Sequence, residues 1–310
     1  MKIVYLGSGD IGLPAFEWLL ASPEAQVVGV VTQPDRPSGR GLQVKPCAIK
    51  EATLRHGLVP LQPAKIRAAE AVAQLAALEA DLFVVMAYGQ ILPRQVLDLP
   101  RLGAINLHAS LLPRHRGAAP VHAAVLAGDR ASGITVMWMD EGLDTGDVLL
   151  REECEIRADD TAGSLHDRLA QLAPVALARA IRLIAEGSAH RVPQDESQAT
   201  YAPKLDRARG RLSWDASAEE LDRRIRGLHP WPGCTAVAEL ENGKRIDLKV
   251  HRAAVREGST PAGDLVEGLC IGCGGGGRLE LLEVQPSGGK RMSGQDFLRG
   301  YRPLRMLGAE

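Results

Sequence analysis

Two polar residues at the end of an apolar run have the types and the spacing that acyl-transfer chemistry needs. Asn106 and His108 are two residues apart in a run that is typical of a strand, so alternation points both side chains to one face. An amide can donate to a developing oxyanion, and an imidazole can take up or release a proton near neutral pH. The pair could equally form hydrogen bonds with backbone groups of a neighbouring loop. The two residues alone leave both interpretations open.

A third candidate lies in the glycine-interrupted acidic loop at 140–147, which follows another strand-like run. From this loop Asp144 could reach the same edge of a sheet and favour the charged form of His108. Acidic turns also cap helices or merely solvate a loop. The four carboxylates of the loop could bind a cation instead, but their spacing does not match an EF-hand.

The elements that would position these residues form an alternating pattern in the first half of the chain. Short apolar runs of the kind found in buried parallel strands occupy 3–6, 27–31, 82–86, 104–108 and 134–139. Helical patterns occupy 13–20, 68–78, 121–126 and 165–184. We therefore predict an α/β fold with a doubly wound, mostly parallel, Rossmann-like sheet, which binds ligands at the carboxyl ends of its strands.

A glycine motif in the first strand–helix turn offers a competing interpretation. Gly7, Gly9 and Gly12 form GxGxxG after a strand, the context of a dinucleotide site. The second strand lacks the acid that would bind a ribose, and Asp35 lies beyond Pro34 in a loop. A tight turn explains the glycines without a nucleotide, and a dinucleotide-dependent oxidoreductase stays an alternative.

Composition sets the class of protein. Hydrophobic residues make up 45% and charged residues 24% of 310, which excludes disordered, collagen-like and coiled-coil chains. The net charge of −1 excludes a uniformly basic nucleic-acid coat but allows a local basic patch. Five scattered cysteines and a start without a signal-peptide pattern lead us to expect a cytoplasmic protein.

The pattern changes after Gly187, which indicates a second domain. We predict a catalytic domain at 1–188, a linker at 189–208 and a small C-terminal β-barrel of OB type at 209–310. A helix is predicted at 218–225, with strands at 236–240, 246–251 and 279–284. From Lys204 onward the chain has 18 basic and 15 acidic residues, an excess that favours a polyanionic partner.

Histidine and cysteine spacings do not predict a metal site. His108, His115 and His122 recur every seven residues, but prolines interrupt any helix that could bring them together. Cys270 and Cys273 form a single CxxC with no second pair, so we expect no bound metal.

Longer motifs resemble a known family. NLHASLLPRHRGAAP (106–120) together with DEGLDTGD (140–147) is similar to the folate-dependent formyltransferases. The first twenty residues, QPDRPSGRG (33–41), HPWPG (229–233) and GKRMSGQDFLRGYRP (289–303) extend the resemblance over nearly the whole chain, to members that act on aminoacylated initiator tRNA.

The resemblance implies transfer of a formyl group from 10-formyltetrahydrofolate, without a metal, to the α-amine of methionyl initiator tRNA. It makes Asn106, His108 and Asp144 the catalytic set, acting by direct attack of the amine, because no serine or cysteine here has a nucleophile arrangement. The residues it assigns to the folate site are Ser110, Leu111, Leu112, Pro113, Met86, Tyr88, Ile91, Leu92, Asp140, Glu141 and Gly142.

For tRNA, the resemblance points to the long loop at 32–45 and to the linker. The basic residues concerned are Arg36, Arg40, Lys45, Lys204, Arg207, Arg209 and Arg211. The loop continues as GLQVK, with less charge than is usual in the family. We therefore expect fewer phosphate contacts from this part of the loop and a larger contribution from Arg40. We expect a monomer.

Relatives with the same catalytic core leave other acceptors open. An amino sugar nucleotide, or another small amine such as glycinamide ribonucleotide, would need no tRNA loop. A non-catalytic RNA-binding protein would need only the basic segments, and the presence of Asn106, His108 and Asp144 argues against it.

Overall fold

The computed structural model describes residues 1–38 and 43–308 and divides the chain into two compact units. Unit 1 comprises Met1–Pro120, Ala131–Glu155 and His166–Ala202. Unit 2 comprises Val121–Arg130, Ile156–Leu165 and Pro203–Glu310. None of the helices in the described part of the chain is long and apolar enough to cross a membrane.

The strands of unit 1 build a six-stranded sheet and two small pairs. In chain order they are β1 (Lys2–Gly7), β2 (Gln26–Val31), β3 (Arg36–Ser38), β4 (Gln43–Lys45), β5 (Leu82–Met86), β6 (Ala104–His108), β7 (Arg116–Gly117), β8 (Ala131–Trp138), β9 (Val148–Glu155) and β10 (Tyr201–Ala202). The main sheet has the order β2-β1-β5-β6-β8-β9. Strands β2, β1, β5 and β6 are parallel, whereas β8 and β9 are antiparallel to their neighbours.

The helices of the chain include every helix that the sequence predicts. They are α1 (Leu13–Ala21), α2 (Ala48–Arg55), α3 (Ala69–Ala76), α4 (Arg94–Leu97), α5 (Pro120–Ala127), α6 (Ala162–Ala185), α7 (Ala218–Gly227) and α8 (Gly294–Tyr301). Together with the parallel strands β2, β1, β5 and β6, these helices confirm the doubly wound, mostly parallel architecture.

The direction of one strand differs from the prediction. The run at 134–139 is read from sequence as parallel, yet β8 pairs with β6 in the antiparallel sense, with Asn106 opposite Met137. Seven of the eight residues of β8 are buried, so the apolar run is as continuous as in a parallel strand. Burial on both faces gives this pattern for either direction, and the pattern alone cannot separate the two.

The glycines of the GxGxxG turn pack against the segment that follows β5. A Cβ on Gly9 would lie 2.8 Å from the Cβ of Ala87, and one on Gly12 would collide with the Tyr5 hydroxyl. The Ala87 carbonyl accepts hydrogen bonds from the amides of Ser8 and Gly9 at 3.2 and 3.1 Å. This close approach accounts for the glycines without a nucleotide.

Unit 2 contains an antiparallel, nearly closed barrel of the predicted OB type. Its strands are β11 (Cys234–Leu240), β12 (Arg245–Arg256), β13 (Leu265–Val266), β14 (Cys270–Gly272), β15 (Arg278–Pro286), β16 (Met292–Ser293) and β17 (Pro303–Leu307). They follow the order β13-β14-β15-β12-β11-β17, with β16 on β15. A backbone hydrogen bond from Met306 to Gly263 at 3.2 Å joins the two ends of this order.

The segment interpreted from sequence as a linker is divided between the units. Residues up to Ala202 belong to unit 1, where β10 pairs with β7 and Val192 exchanges backbone hydrogen bonds with Val148. Residues from Pro203 onward belong to unit 2.

Candidate active site

His108 ends β6 at the carboxyl edge of the parallel part of the sheet, with only 6% of its surface exposed. Its Nε2 lies 2.9 Å from the carbonyl oxygen of His115. Because a carbonyl only accepts, Nε2 carries a proton in this arrangement. The other ring nitrogen, Nδ1, faces Oδ2 of Asp144 at 3.6 Å.

Asp144 reaches His108 from the acidic loop that follows β8. Its backbone has φ of 56°, which is unusual for a residue with a side chain and typical of functional loops. Oδ2 accepts a hydrogen bond from the amide of Gly117 at 2.8 Å, and the side chain is 13% exposed. The Gly117 amide therefore fixes the carboxylate beside the imidazole of His108.

Asn106 precedes His108 by two positions on the same strand, so the two side chains leave the same face. Its backbone lies between Val85 of β5 and Met137 of β8. The residue is half-buried, and its side chain forms no hydrogen bond to any residue of 1–38 or 43–308. The amide is therefore available to an oxygen that comes from outside the chain.

The loop after β6 is held by hydrogen bonds to the neighbouring strands. Thr135 of β8 donates to the carbonyl of Ser110 at 2.6 Å and accepts from the amide of Leu112 at 3.1 Å. Arg151 of β9 donates twice to the Leu112 carbonyl, at 3.0 and 2.8 Å. The loop carries the His115 carbonyl and the Gly117 amide to His108 and Asp144, so these bonds support the geometry of the site.

Sequence reasoning missed a second support, formed by Arg116 and Gln194. The Gln194 amide donates to the carbonyls of Asp144 and Gly146 at 2.9 and 2.7 Å. Its oxygen accepts from the fully buried guanidinium of Arg116 at 2.9 Å, and Glu196 forms an ion pair with Arg116 at 2.6 Å. Arg116 stands in the SLLPRHRG motif, but Gln194 lies in a polar stretch without periodicity, and no sequence signal marks it.

The residues assigned to folate by resemblance fall into three environments. Ser110, Leu112 and Pro113 are buried, and the Ser110 hydroxyl donates to the Arg114 carbonyl at 2.6 Å. In the segment after β5 the side chains of Tyr88 and Leu92 pack into the hydrophobic core, whereas Ile91 is exposed. Met86 is buried and Leu111 half-buried, and Asp140, Glu141 and Gly142 are exposed.

The residues assigned to tRNA are exposed wherever the structure describes them. Arg36 and Lys45 lie opposite each other on β3 and β4. Lys204, Arg207, Arg209 and Arg211 are all exposed, and none forms a salt bridge within 1–38 or 43–308. Arg40 lies outside the described residues.

The alternatives based on metals and thiols gain no support. Across the described ranges, no three His, Cys, Asp or Glu side chains are grouped so that they could hold a metal ion. Cys270 and Cys273 are buried in unit 2, and burial raises the pKa of the Cys273 thiol to about 11. A thiol with such a pKa stays neutral near pH 7 and is a poor nucleophile.

Comparison with known proteins identifies relatives over both halves of the chain. The model of the formyl transferase family matches residues 1–181, and that of the formyl transferase C-terminal domain matches 204–302. A protein of Pseudomonas paraeruginosa named methionyl-tRNA formyltransferase is 47% identical over 97% of this chain and 96% of its own length. A protein of the same name from Ectopseudomonas mendocina is 48% identical over 97% and 95%.

Solved structures share the fold at low sequence identity. The crystal structure of WlaRD, a sugar 3N-formyl transferase, in the presence of dTDP and 5-N-formyl-THF matches with a TM-score of 0.65 and 16% identity, over 90% of this chain and 96% of its own. HypX of Aquifex aeolicus in complex with tetrahydrofolic acid matches with a TM-score of 0.61 and 18% identity, over 97% and 48%. With two family matches and near-full-length identity of almost one half, the chain belongs to the formyltransferase family, as an enzyme of formyl transfer.

Proposed function

We propose that the protein transfers the formyl group of 10-formyltetrahydrofolate to the α-amino group of methionyl initiator tRNA. The observation that carries the proposal is the arrangement of His108 between the His115 carbonyl and Asp144, beside an Asn106 amide with no bond to the described chain. The acceptor follows from the relatives named methionyl-tRNA formyltransferase, and the donor fits the folates that accompany two of the structural neighbours.

The reaction balances without a metal or an enzyme-bound intermediate. The amine attacks the formyl carbon, a carbon–nitrogen bond forms, and the carbonyl oxygen becomes an oxyanion. The bond between N10 and the formyl carbon then breaks, and N10 takes up one proton as tetrahydrofolate leaves. The attacking nitrogen loses one proton and becomes the amide nitrogen.

Three side chains supply what this reaction needs. The Asn106 amide donates to the oxyanion as charge develops there. In this scheme His108 acts as a protonated imidazole that places positive charge beside the oxyanion, and Asp144 faces its Nδ1 at 3.6 Å. Because a protonated imidazole cannot accept a second proton, Asp144 and water take the proton that the attacking nitrogen releases, and water supplies the proton that N10 takes up.

A formyl-transfer assay on three acceptors tests the proposal. Methionyl initiator tRNA, glycinamide ribonucleotide and an amino sugar nucleotide are each incubated with 10-formyltetrahydrofolate and wild-type protein, Asn106→Ala or His108→Ala. His190→Ala is the matched control, because His190 is exposed and lies outside the candidate site. We expect formylation of the charged tRNA, a loss of about 10²- to 10³-fold in Asn106→Ala, and wild-type rates in the control.

Two outcomes would reject the proposal. Formylation of a small acceptor with none of the tRNA would reject the tRNA substrate but keep the chemistry. Equal rates in wild-type and His108→Ala protein would reject the assignment of the catalytic residues.

A further inference from the structure

Two short paired strands carry Arg36 and Lys45 after β2. We define the basic hairpin by its described strands alone, β3 (Arg36–Ser38) and β4 (Gln43–Lys45). Arg36 pairs in register with Lys45, so two exposed cations lie at the base of the hairpin, next to the body of unit 1. Whatever fixes this base determines where both cations are presented.

Gln33 connects the base of the hairpin to the segment after β5. Its Oε1 accepts from Nη2 of Arg36 at 3.3 Å, while its Nε2 donates to the carbonyl of Tyr88 at 3.1 Å. One amide thus contacts a residue assigned to tRNA and the backbone of a residue assigned to folate. An amide is suited to this position because it offers a donor and an acceptor together.

Gln33 has its own backbone anchors. Its amide nitrogen donates to Oγ of Ser8 at 2.8 Å, and its carbonyl accepts from Nε2 of Gln62 at 2.9 Å. With both backbone groups bonded, the side chain has a fixed origin. A displacement of the Tyr88 carbonyl therefore changes the orientation of the Gln33 side-chain amide, while the backbone of Gln33 stays in place.

A polar cluster beside Gln33 holds the irregular segment, 32–35, that leads from β2 into the hairpin. Nζ of Lys50 lies 2.6 Å from Oδ2 of Asp35 and 2.6 Å from Oε1 of Gln62, and Gln62 also donates to Asp35 at 3.0 Å. Lys50 and Asp35 are only 19% and 26% exposed. The Lys50 ammonium, followed by the Gln62 amide, holds the pKa of Asp35 below its usual value. Charge-assisted bonds of this kind are short and directional, and they restrain the backbone on both sides of Pro34.

The Tyr88 carbonyl belongs to a tightly held backbone. The preceding residue, Ala87, has φ of 49°, and its carbonyl accepts from two amides of the glycine turn. Non-glycine residues in this conformation are uncommon and cluster where ligands bind. A ligand that contacts 86–92 therefore acts on a backbone whose carbonyls at 87 and 88 accept hydrogen bonds from the glycine turn and from Gln33.

We infer that Gln33 is a positioning residue that couples folate binding to the placement of the basic hairpin, so that folate tightens the binding of tRNA. The inference rests on the proposed function. By linkage, tRNA must then tighten folate binding by the same factor. Gln33 itself touches no reacting atom in this scheme.

Equilibrium binding with the full-length protein tests the coupling. The Kd of methionyl initiator tRNA is measured with and without saturating 5-formyltetrahydrofolate, for wild-type protein, Gln33→Leu and the matched control Gln95→Leu. Gln95 is an exposed amide on α4 that bonds the Arg67 carbonyl, outside this cluster. We expect the folate to lower the Kd about fivefold or more in wild-type and control, and less than about twofold in Gln33→Leu.

A second variant separates the two bonds of Gln33. Gln33→Glu keeps an acceptor for Arg36 but has no donor for the Tyr88 carbonyl. We expect folate to change the tRNA Kd of this variant by less than about twofold, whatever the Kd is without folate. If Gln33→Leu fails to fold, Gln33→Glu decides the result.

The outcomes distinguish this inference from the proposed function. Wild-type coupling in either Gln33 variant, or no coupling in the wild-type protein, overturns the inference even when methionyl-tRNA is formylated. A wild-type protein that neither binds nor formylates methionyl-tRNA overturns the proposed function and the inference with it.

Discussion

Oδ2 of Asp144 lies 3.6 Å from Nδ1 of His108 while accepting a hydrogen bond from the backbone of the intervening loop. The carboxylate is thus held by a main-chain amide rather than by the ring that it faces. The carboxylate therefore keeps a main-chain partner that does not depend on the imidazole.

Asp144→Asn tests the charge of this pair. The asparagine oxygen can still accept from Gly117, but it gives no charge to His108, so we expect kcat/KM to fall about 10²- to 10⁴-fold. The melting temperature should stay close to that of the wild type. Asp147→Asn, in the same loop, removes an equal charge and serves as the control; an equal loss in both variants would contradict a specific role for Asp144.

Gln194→Leu tests the support under the Asp144 loop. The change removes two bonds to loop carbonyls and one acceptor of the buried Arg116, so we expect unfolding free energy to drop by about 1–3 kcal/mol. We also expect a lower kcat, measured in the formyl-transfer assay. Gln198→Leu, on the same segment, loses only an exposed bond to Asp195 and should change neither quantity. A stable Gln194→Leu enzyme with wild-type kcat would show that the loop holds without this support.

Gly117→Ala tests the close approach beside Asp144. Gly117 has φ of 114°, and a Cβ there would lie 2.7 Å from the Ala202 carbonyl. Gly57 has φ of 73° with open space around it, so Gly57→Ala should cost only the conformational penalty of about 1–2 kcal/mol. We expect Gly117→Ala to cost more in a denaturant titration and to lower kcat/KM. If Gly117→Ala and Gly57→Ala lower the free energy of unfolding equally, the Ala202 carbonyl moves away from the new Cβ without a cost, which would contradict the prediction.

Asp10 and His166 give a prediction for pH. Oδ1 of Asp10 lies 3.3 Å from Nε2 of His166, and its hydrogen bond raises the pKa of His166 above the usual value, more than Asp167 does. Because the folded pKa is the higher one, the pair stabilises fully below about pH 6.5 and loses this contribution as pH rises through the folded pKa.

The variant Asp10→Asn should therefore lower the His166 pKa in an NMR titration by more than Asp167→Asn does. Since Asp10 is 78% exposed, we expect a stability difference from wild type of only about 0.2–1 kcal/mol at pH 6, vanishing at high pH. A His166 pKa that is the same in Asp10→Asn and wild-type protein would contradict this prediction.

The elements that carry the site were predictable because their signals are local. The runs at 82–86 and 104–108 match β5 and β6 residue for residue, and strand alternation placed Asn106 and His108 on one face. That Asp144 could reach the same edge also followed from its place after a strand. The catalytic roles of these residues stay predictions, since geometry alone does not measure activity.

What the sequence could not indicate depends on contacts between distant segments. Gln194 bonds a loop some fifty positions away, and no periodicity reveals such a partner. Strands β3 and β4 have three residues each, which is too short for an alternation of apolar and polar residues to be recognised. The direction of β8 is decided by its pairing with β6, which its own composition does not encode.

The position of Gln194 also bears on where the first unit can be cut from the rest. A fragment that stops with the family match at residue 181 would contain Asn106, His108 and Asp144, yet it would lack the amide under the Asp144 loop and the strand paired to Arg116–Gly117. A fragment that keeps both contacts must extend to Ala202, and it then also carries 121–130 and 156–165, which belong to unit 2.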